Sequence, residues 1–185
     1  NTYNYRFHIG AYPEGNVFYE LFIHPLDTII FLFGPTIDIH FNLLKHKKGL
    51  SLSLISKHEN DIVGSVDIST LYSWKLIDEY LKVNTNDEIF EASYPYRLIG
   101  HAMQQQIAGI PLEKVIKTSV LTQKNYIVNN GLNPIKEENS LVFQGYFNEI
   151  QAFVKTVEGK KKSNKSSLKD ILPTYELIDQ ITKNI

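Results

Sequence analysis

Gly15-Asn16-Val17-Phe18-Tyr19-Glu20-Leu21-Phe22-Ile23-His24-Pro25-Leu26-Asp27, running on to Phe33-Gly34-Pro35, decides how this chain of 185 residues is read. It sets a carboxylate and an imidazole four residues apart in an apolar run that a Gly-Pro pair brings to a stop. As a helix, the stretch puts Glu20 and His24 on one face, one turn apart, with Asp27 three residues further on. Burying an acid and an imidazole among apolar side chains is costly unless they are paired or used. The segment therefore reads either as a satisfied structural pair or as a site. Pro25 removes a backbone donor and crowds the carbonyl one turn back, so a bend is expected near His24.

Composition narrows the class of protein. An apolar content of 43% with 21% charged residues is ordinary for a globular chain long enough to bury a sizeable core. The net charge of −1 gives no electrostatic case for nucleic acid or an anionic membrane. Without cysteine there is no disulfide, thiolate metal site or cysteine nucleophile. The apolar run from Thr28 to Gly34 is far too short to span a bilayer. No signal peptide is visible, which makes the cytoplasm the default location. The chain opens at Asn1 without an initiator Met and already in a strand pattern, as a fragment of a longer protein or a trimmed terminus would.

On either side of the opening stretch the period changes. Tyr3, Tyr5, Phe7 and Ile9 alternate with polar residues over Tyr3–Ala11, the period of a half-buried strand. From Thr36 to Arg97 strand patterns succeed one another. Ile37, Ile39, Phe41 and Leu43 alternate with Asp38, His40 and Asn42. Leu50, Leu52 and Leu54 alternate with serines, and Val63–Tyr72 and Leu76–Asn84 continue the theme. Lys47-Lys48-Gly49, Glu59-Asn60-Asp61 and Asn84-Thr85-Asn86-Asp87 supply turns. Links this short imply antiparallel neighbours. One apolar and one polar face imply helices on one side and a partner, solvent or a cleft on the other. Leu98–Gln123 reads as helical pieces broken at Gly109-Ile110-Pro111. Apolar residues from Phe143 to Val157 recur at helical spacing and end at Gly159, a good C-cap. Four lysines between Gly159 and Ser167 read as a solvated basic loop. Ser167 can cap a last helix carrying Leu168, Ile171, Tyr175, Ile178 and Ile181, bent or started late at Pro173.

Other polar constellations keep two readings each. Asp38, His40 and Asn42 share a strand face, lining the sheet's open side or simply facing solvent. His46 and His58 flank turns and read as surface. His101 with Gln104, Gln105 and Gln106 forms either a polar patch at a substrate or an exposed turn. Arg97, after Tyr94-Pro95-Tyr96, suits a carboxylate or phosphate, or a strand-edge salt bridge. None of the six histidines is paired with another at metal-ligand spacing, so no metal is expected.

The pattern Gly-x-x-x-x-Glu-x-x-x-His-Pro-x-Asp-x-x-x-x-x-x-Gly resembles the signature helix of the Gfo/Idh/MocA oxidoreductases. The closing segment is also similar to that family's ending. It runs Gly145-Tyr146-Phe147-Asn148-Glu149-Ile150-x-x-Phe153, then Gly159, then Ser167–Ile181. By position, His24 matches the histidine regarded there as a catalytic acid/base. Glu20 stands where Asp is usual, as its catalytic or substrate partner, and Asp27 and Gly34 match the positions that follow. The resemblance implies an α+β domain over residues 1–185, an open, mainly antiparallel sheet with helices packed on one face. It implies catalytic roles for His24 and Glu20, and substrate contacts for Asp27, with Arg97 and His101 as further candidates.

The chain has neither a Gly-x-Gly-x-x-Gly between strand and helix nor the family's Glu-Lys-Pro. Both would belong to an N-terminal Rossmann domain expected upstream of Asn1. The resemblance then implies a substrate-binding and oligomerisation domain, inactive alone. Its parent would use NAD or NADP on a sugar or polyol and self-associate through the sheet face, with no nucleic-acid or membrane partner. Two alternatives are a non-catalytic ligand-binding or oligomerisation module and, last, a hydrolase, for which no Gly-x-Ser-x-Gly is present.

Overall fold

The computed structural model describes residues 1–12, 15–72, 77–93, 97–102, 106–115, 123–128, 146–160 and 167–183. Strand β1 (Thr2–His8) leads through a π-turn (Phe18–Phe22) into α1 (Ile23–Phe33). Strands β2 (Thr36–His46), β3 (Gly49–His58), β4 (Val63–Ser69), β5 (Asp78–Asn84), β6 (Glu88–Ser93) and β7 (Arg97–Ala102) follow. A small hairpin, β8 (Gln106–Ile107) and β9 (Ile110–Pro111), precedes the short α2 (Leu112–Val115). Then come β10 (Gln123–Val128), α3 (Tyr146–Val157) and α4 (Leu168–Lys183).

Eight strands form one sheet in the order β10-β7-β6-β5-β1-β4-β3-β2. Every neighbouring pair is antiparallel except β1 with β4, where Tyr5 lies opposite Val66 in parallel register. A parallel pair needs a long crossover, and the π-turn, α1, β2 and β3 provide it. This brings β1 to the middle of the sheet, with α1 over it. Tyr3, Tyr5 and Phe7 point to the helical side. There they meet Leu26, Ile29, Ile30 and Phe33 of α1, Leu177, Ile178 and Ile181 of α4, and Leu50, Leu52, Leu54, Val66 and Ile68 of the sheet. At about 1.5–3 kcal/mol gross for each fully buried large side chain, this packing far outweighs helix propensity. The α+β layering is as expected, with α1 and α4 packed on one face.

Pro25 marks the start of α1. It can give no amide to the carbonyl of Leu21, and its ring would crowd that carbonyl in a straight α-helix. The turn just before it is wound as π, so the disturbance expected near His24 takes this form. Gly34 ends the helix at φ +86°, its N–H bonded to the Ile30 carbonyl at 2.8 Å. At the other end of the chain, Ser167 precedes α4, and Asp170 accepts from both its N–H (2.9 Å) and its hydroxyl (2.7 Å). Pro173 sits within α4, which starts at Leu168 rather than late.

Two expectations fail. Among the described residues, the helical reading of Leu98–Gln123 gives way to β7, the β8–β9 hairpin and the short α2. Leu98, Gly100 and Ala102 alternate with Arg97, Ile99 and His101, but Ile99 in the polar row and small Gly100 and Ala102 in the other blur the period of two. The Ala108-Gly109 break is the hairpin turn, with positive φ at both residues. His58, read as surface, is completely buried. The alternation Leu50, Leu52, Leu54 simply continues through Ser56 to His58 on the helical side.

A hydrogen-bond chain makes that burial tolerable. His58 Nδ1 donates to the Gly34 carbonyl at 2.6 Å, since a carbonyl can only accept. Nε2 is then the acceptor for the Tyr3 hydroxyl at 2.9 Å, and Tyr3 in turn accepts from Ser56 at 2.6 Å. The Tyr3 ring stacks on Phe33, centroids 4.2 Å apart. Burial pushes the Tyr3 hydroxyl up to about 12, only partly opposed by Ser56. Burial also holds His58 below the ordinary imidazole value, partly opposed by the carbonyls of Gly34 and Pro35.

The opposite face of the sheet is polar. Arg6 makes two contacts with Asp78, each 2.9 Å. His8 meets Asp67 at 3.0 Å, and Lys82 meets Glu91 at 3.0 Å.

Native His58 binds fewer protons than unfolded His58 near the ordinary histidine pKa of about 6.5, so stability rises with pH through that range. The His58 contribution is complete above it and is lost as pH falls toward the depressed native value. Thermal midpoints measured from pH 7.5 down to 5.5 should therefore fall more steeply for the wild type than for His58→Gln. Equal slopes would show that His58 does not titrate on unfolding.

Candidate functional site

The outer stripe of α1 and its π-turn carries Glu20, His24 and Asp27. The inner stripe is committed to the core, and these three stand on the outer side together with the exposed Tyr19, Phe31 and Leu32. Each is employed differently. Glu20 is exposed, and so is His24, so neither carries the burial cost that sequence alone suggested. Glu20 accepts the Tyr12 hydroxyl at 2.8 Å and the Asn16 amide at 3.1 Å. No hydrogen bond or ion pair joins it to His24. The backbone carbonyl of His24 accepts the Thr28 hydroxyl at 2.9 Å, and among the described residues its ring has no hydrogen-bond or ionic partner. Asp27 is half-buried and accepts the hydroxyl of the fully buried Thr174 at 2.7 Å, joining α1 to α4.

Beside Asp27 a groove of about 830 Å³ opens between α1 and the start of α4, lined by Ile30, Phe31, Leu168, Ile171 and Pro173 among others. At the other edge of the helix, Tyr19 donates to Asp179 at 2.8 Å and stacks against Tyr175. That bond raises the Tyr19 hydroxyl pKa and holds the Asp179 carboxyl below its usual range.

Arg97 and His101 lie elsewhere. Register carries Arg6 of β1 through Tyr80 and Ser93 to Arg97, so Arg97 and, four residues on, His101 share the open face, opposite α1. Arg97 is exposed and makes no ion pair among the described residues. His101 is half-buried, its Nε2 3.7 Å from Glu91, which also holds Lys82. Glu20, His24 and Asp27 thus share the outer side of one helical stretch, each with different neighbours, while Arg97 and His101 lie on the opposite face of the sheet. Asp38 and His40 also face that open side, 3.6 Å from each other. Tyr94–Tyr96, Gln104, Gln105 and the lysines at 161, 162 and 165 lie outside the described residues.

Sequence reasoning missed Tyr12, Asn16 and Thr174. The Asn16 signal was half present, since Asn favours a helix start, but Glu follows four residues on rather than the three of a capping box. Thr174 could be found only from the packing of α4.

Chemically, an exposed imidazole without an intramolecular partner can exchange a proton with a hydroxyl brought to it. No group of three or more His, Cys, Asp or Glu is placed to hold a metal ion among the described residues. Among the described residues, the helix start after β1 does not fit a dinucleotide either. A pyrophosphate needs free amides at a helix start, and here the Glu20 carboxylate already takes the Asn16 amide. Among the described residues no helix is long and apolar enough to cross a membrane.

No protein-family model and no curated protein matches the sequence. Solved structures do match in fold. A dehydrogenase from Chromobacterium violaceum superposes with a TM-score of 0.75 at 13% identity, covering 99% of this chain and 52% of that one. A Gfo/Idh/MocA family oxidoreductase from Vibrio cholerae gives 0.66 at 13% identity, covering 99% and 53%. Levoglucosan dehydrogenase, solved with NADH and L-sorbose, gives 0.68 at 12% identity, covering 98% and 55%. The chain therefore has the fold of about half of a Gfo/Idh/MocA-type dehydrogenase, and it spans about half the length of the structures it matches. At these identities the likeness is one of fold.

Replacing Thr174 by the isosteric Val removes the donor to Asp27 and should cost about 1–2 kcal/mol, a fall of roughly 2–8 °C in midpoint for a chain of this size. Asp27→Asn keeps an acceptor and should cost less than half as much. Unfolding curves of the two variants decide the matter, and a neutral Thr174→Val would show that this bond does not fix Asp27.

Proposed function

We propose that this chain is the substrate-binding and self-association half of an oxidoreductase that uses NAD or NADP on a sugar- or polyol-like substrate. The carrying observation is the exposed imidazole of His24 on the outer stripe of α1, without a partner among the described residues, in a fold shared with dehydrogenases. In this reading His24 takes the proton of a substrate hydroxyl as it is oxidised and returns it in the reverse direction. Asp27, one turn away and steadied by Thr174, offers a fixed acceptor for a neighbouring hydroxyl. The cofactor is carried outside this chain, whose described residues do not fit it, so the isolated chain is inactive. The open face of the sheet is assigned to a second copy. Its ion pairs and polar rows suit an interface of matched charge more than an apolar one. Arg97 and His101 go with that face. A cytoplasmic location belongs to the same reading.

One observation favours a second reading, a ligand-binding or oligomerisation module without chemistry. Glu20 is engaged with its own chain rather than with His24.

The test is the nicotinamide absorbance change produced by the intact parent protein with a panel of sugars and polyols. Turnover is expected, and His24→Ala should lower kcat by about 100-fold or more while leaving the unfolding midpoint unchanged. Full turnover by His24→Ala would remove His24 as the acid/base. Persistent inactivity of the intact parent would favour the module.

A further inference from the structure

We propose that Glu20 is a positioning residue that locks the β1–α1 connection onto the first turn of the helix, and is not the proton-transfer partner of His24. Its bearing on turnover rests on the oxidoreductase reading, whereas the lock itself does not.

Both carboxylate oxygens are engaged, each by a different part of the connection. Oε1 accepts the Asn16 N–H at 3.1 Å, and Oε2 accepts the Tyr12 hydroxyl at 2.8 Å. Asn16 is in turn the residue that opens the helix. Its side-chain oxygen accepts the Phe18 N–H at 3.0 Å, and its carbonyl accepts the amides of Tyr19 and Glu20 at 3.1 and 3.0 Å. A carboxylate three residues past the cap is the usual partner of the cap amide. Here it comes one residue later, on a turn widened to π geometry.

Gly15 shows that the arrangement is built in. Its φ is +67°, and a Cβ placed there would lie only 2.0 and 2.1 Å from the two Glu20 oxygens. Glycine at 15 leaves the space that the carboxylate at 20 fills. Tyr12 and Asn16 are held by one side chain, that of Glu20, four residues before His24. Through them Glu20 shapes what a substrate at His24 would rest against.

Substitution separates this role from acid–base catalysis. Gln keeps the length and can keep both contacts, its amide oxygen accepting from Asn16 and its NH₂ donating to the Tyr12 oxygen, but it cannot carry the proton. Asp keeps the acid and is one methylene too short. In the chain as it stands, exchange of the Asn16 amide should speed up about tenfold in Glu20→Asp and Glu20→Ala, and stay within about threefold of wild type in Glu20→Gln. In the intact parent, Glu20→Gln should keep kcat and its pH profile, and Glu20→Asp should raise KM with the profile retained.

Equal Asn16 exchange in all variants would overturn the lock. Loss of turnover, or of one limb of the pH profile, in a Glu20→Gln variant whose exchange is normal would make Glu20 the acid–base group. A parent with no turnover on any substrate would remove the oxidoreductase reading and leave the exchange result standing.

Discussion

The bond from His58 Nδ1 to the Gly34 carbonyl, under the Tyr3–Phe33 stack, ties the end of α1 to β3 and β1 at once. Most of the packing on the helical side follows from where that helix end is held. Apolar contact alone would allow α1 to slide along the aromatic row of β1, since hydrophobic burial is not directional. The hydrogen-bond chain from Ser56 through Tyr3 and His58 to Gly34 has a register, and every member of it has a partner. Breaking one bond would strand a buried polar group at about 1–3 kcal/mol. Gly34 makes the joint feasible, because the chain turns there with a positive φ that leaves its carbonyl aimed back at the sheet.

With its inner side fixed, α1 has a free outer side, and the candidate site is a consequence of that division. Leu26, Ile29, Ile30 and Phe33 belong to the core, which leaves Glu20, His24 and Asp27 outward. Glu20 turns back to the preceding connection and Asp27 reaches across to α4. Among the described residues the His24 ring is left without a partner. A helix anchored at its far end by His58 and at its start by Glu20 presents that imidazole on a rigid support, which is what proton transfer to a positioned hydroxyl requires.

Much of the fold could be read from periodicity. Tyr3, Tyr5 and Phe7, the alternation from Ile37 to Leu54, and the apolar stripe of α1 all report local geometry, and local geometry is what a sequence displays most openly. The helix motif around His24 supplied the fold class. What stayed hidden depends on distant pairing. The parallel match of β1 with β4 cannot be seen in either strand. Likewise the pairing of β1 with β5, carried on through β6, is what sends Arg97 and His101 to the face away from His24. β7 was mistaken for helix because Ile99 interrupts its polar row and Gly100 and Ala102 weaken the apolar one, so its period of two is faint. His58 was the avoidable error, for the alternation of β3 runs unbroken from Leu50 to it. The engagement of Glu20 was half legible, in Asn16 and Gly15, but required the π-turn to bring the carboxylate home.

Native-state hydrogen exchange across Ile23–Phe33 tests most directly whether α1 is one unit with the sheet. If the joint at Gly34 holds the helix as described, the amides in its second half should exchange only through the opening that also releases Tyr5 and Val66 in the paired strands β1 and β4. They should then share one free energy and one dependence on denaturant. Exchange of α1 at a distinctly lower free energy, with the sheet still protected, would mean that the helix detaches on its own and that His24 does not stand on a fixed support.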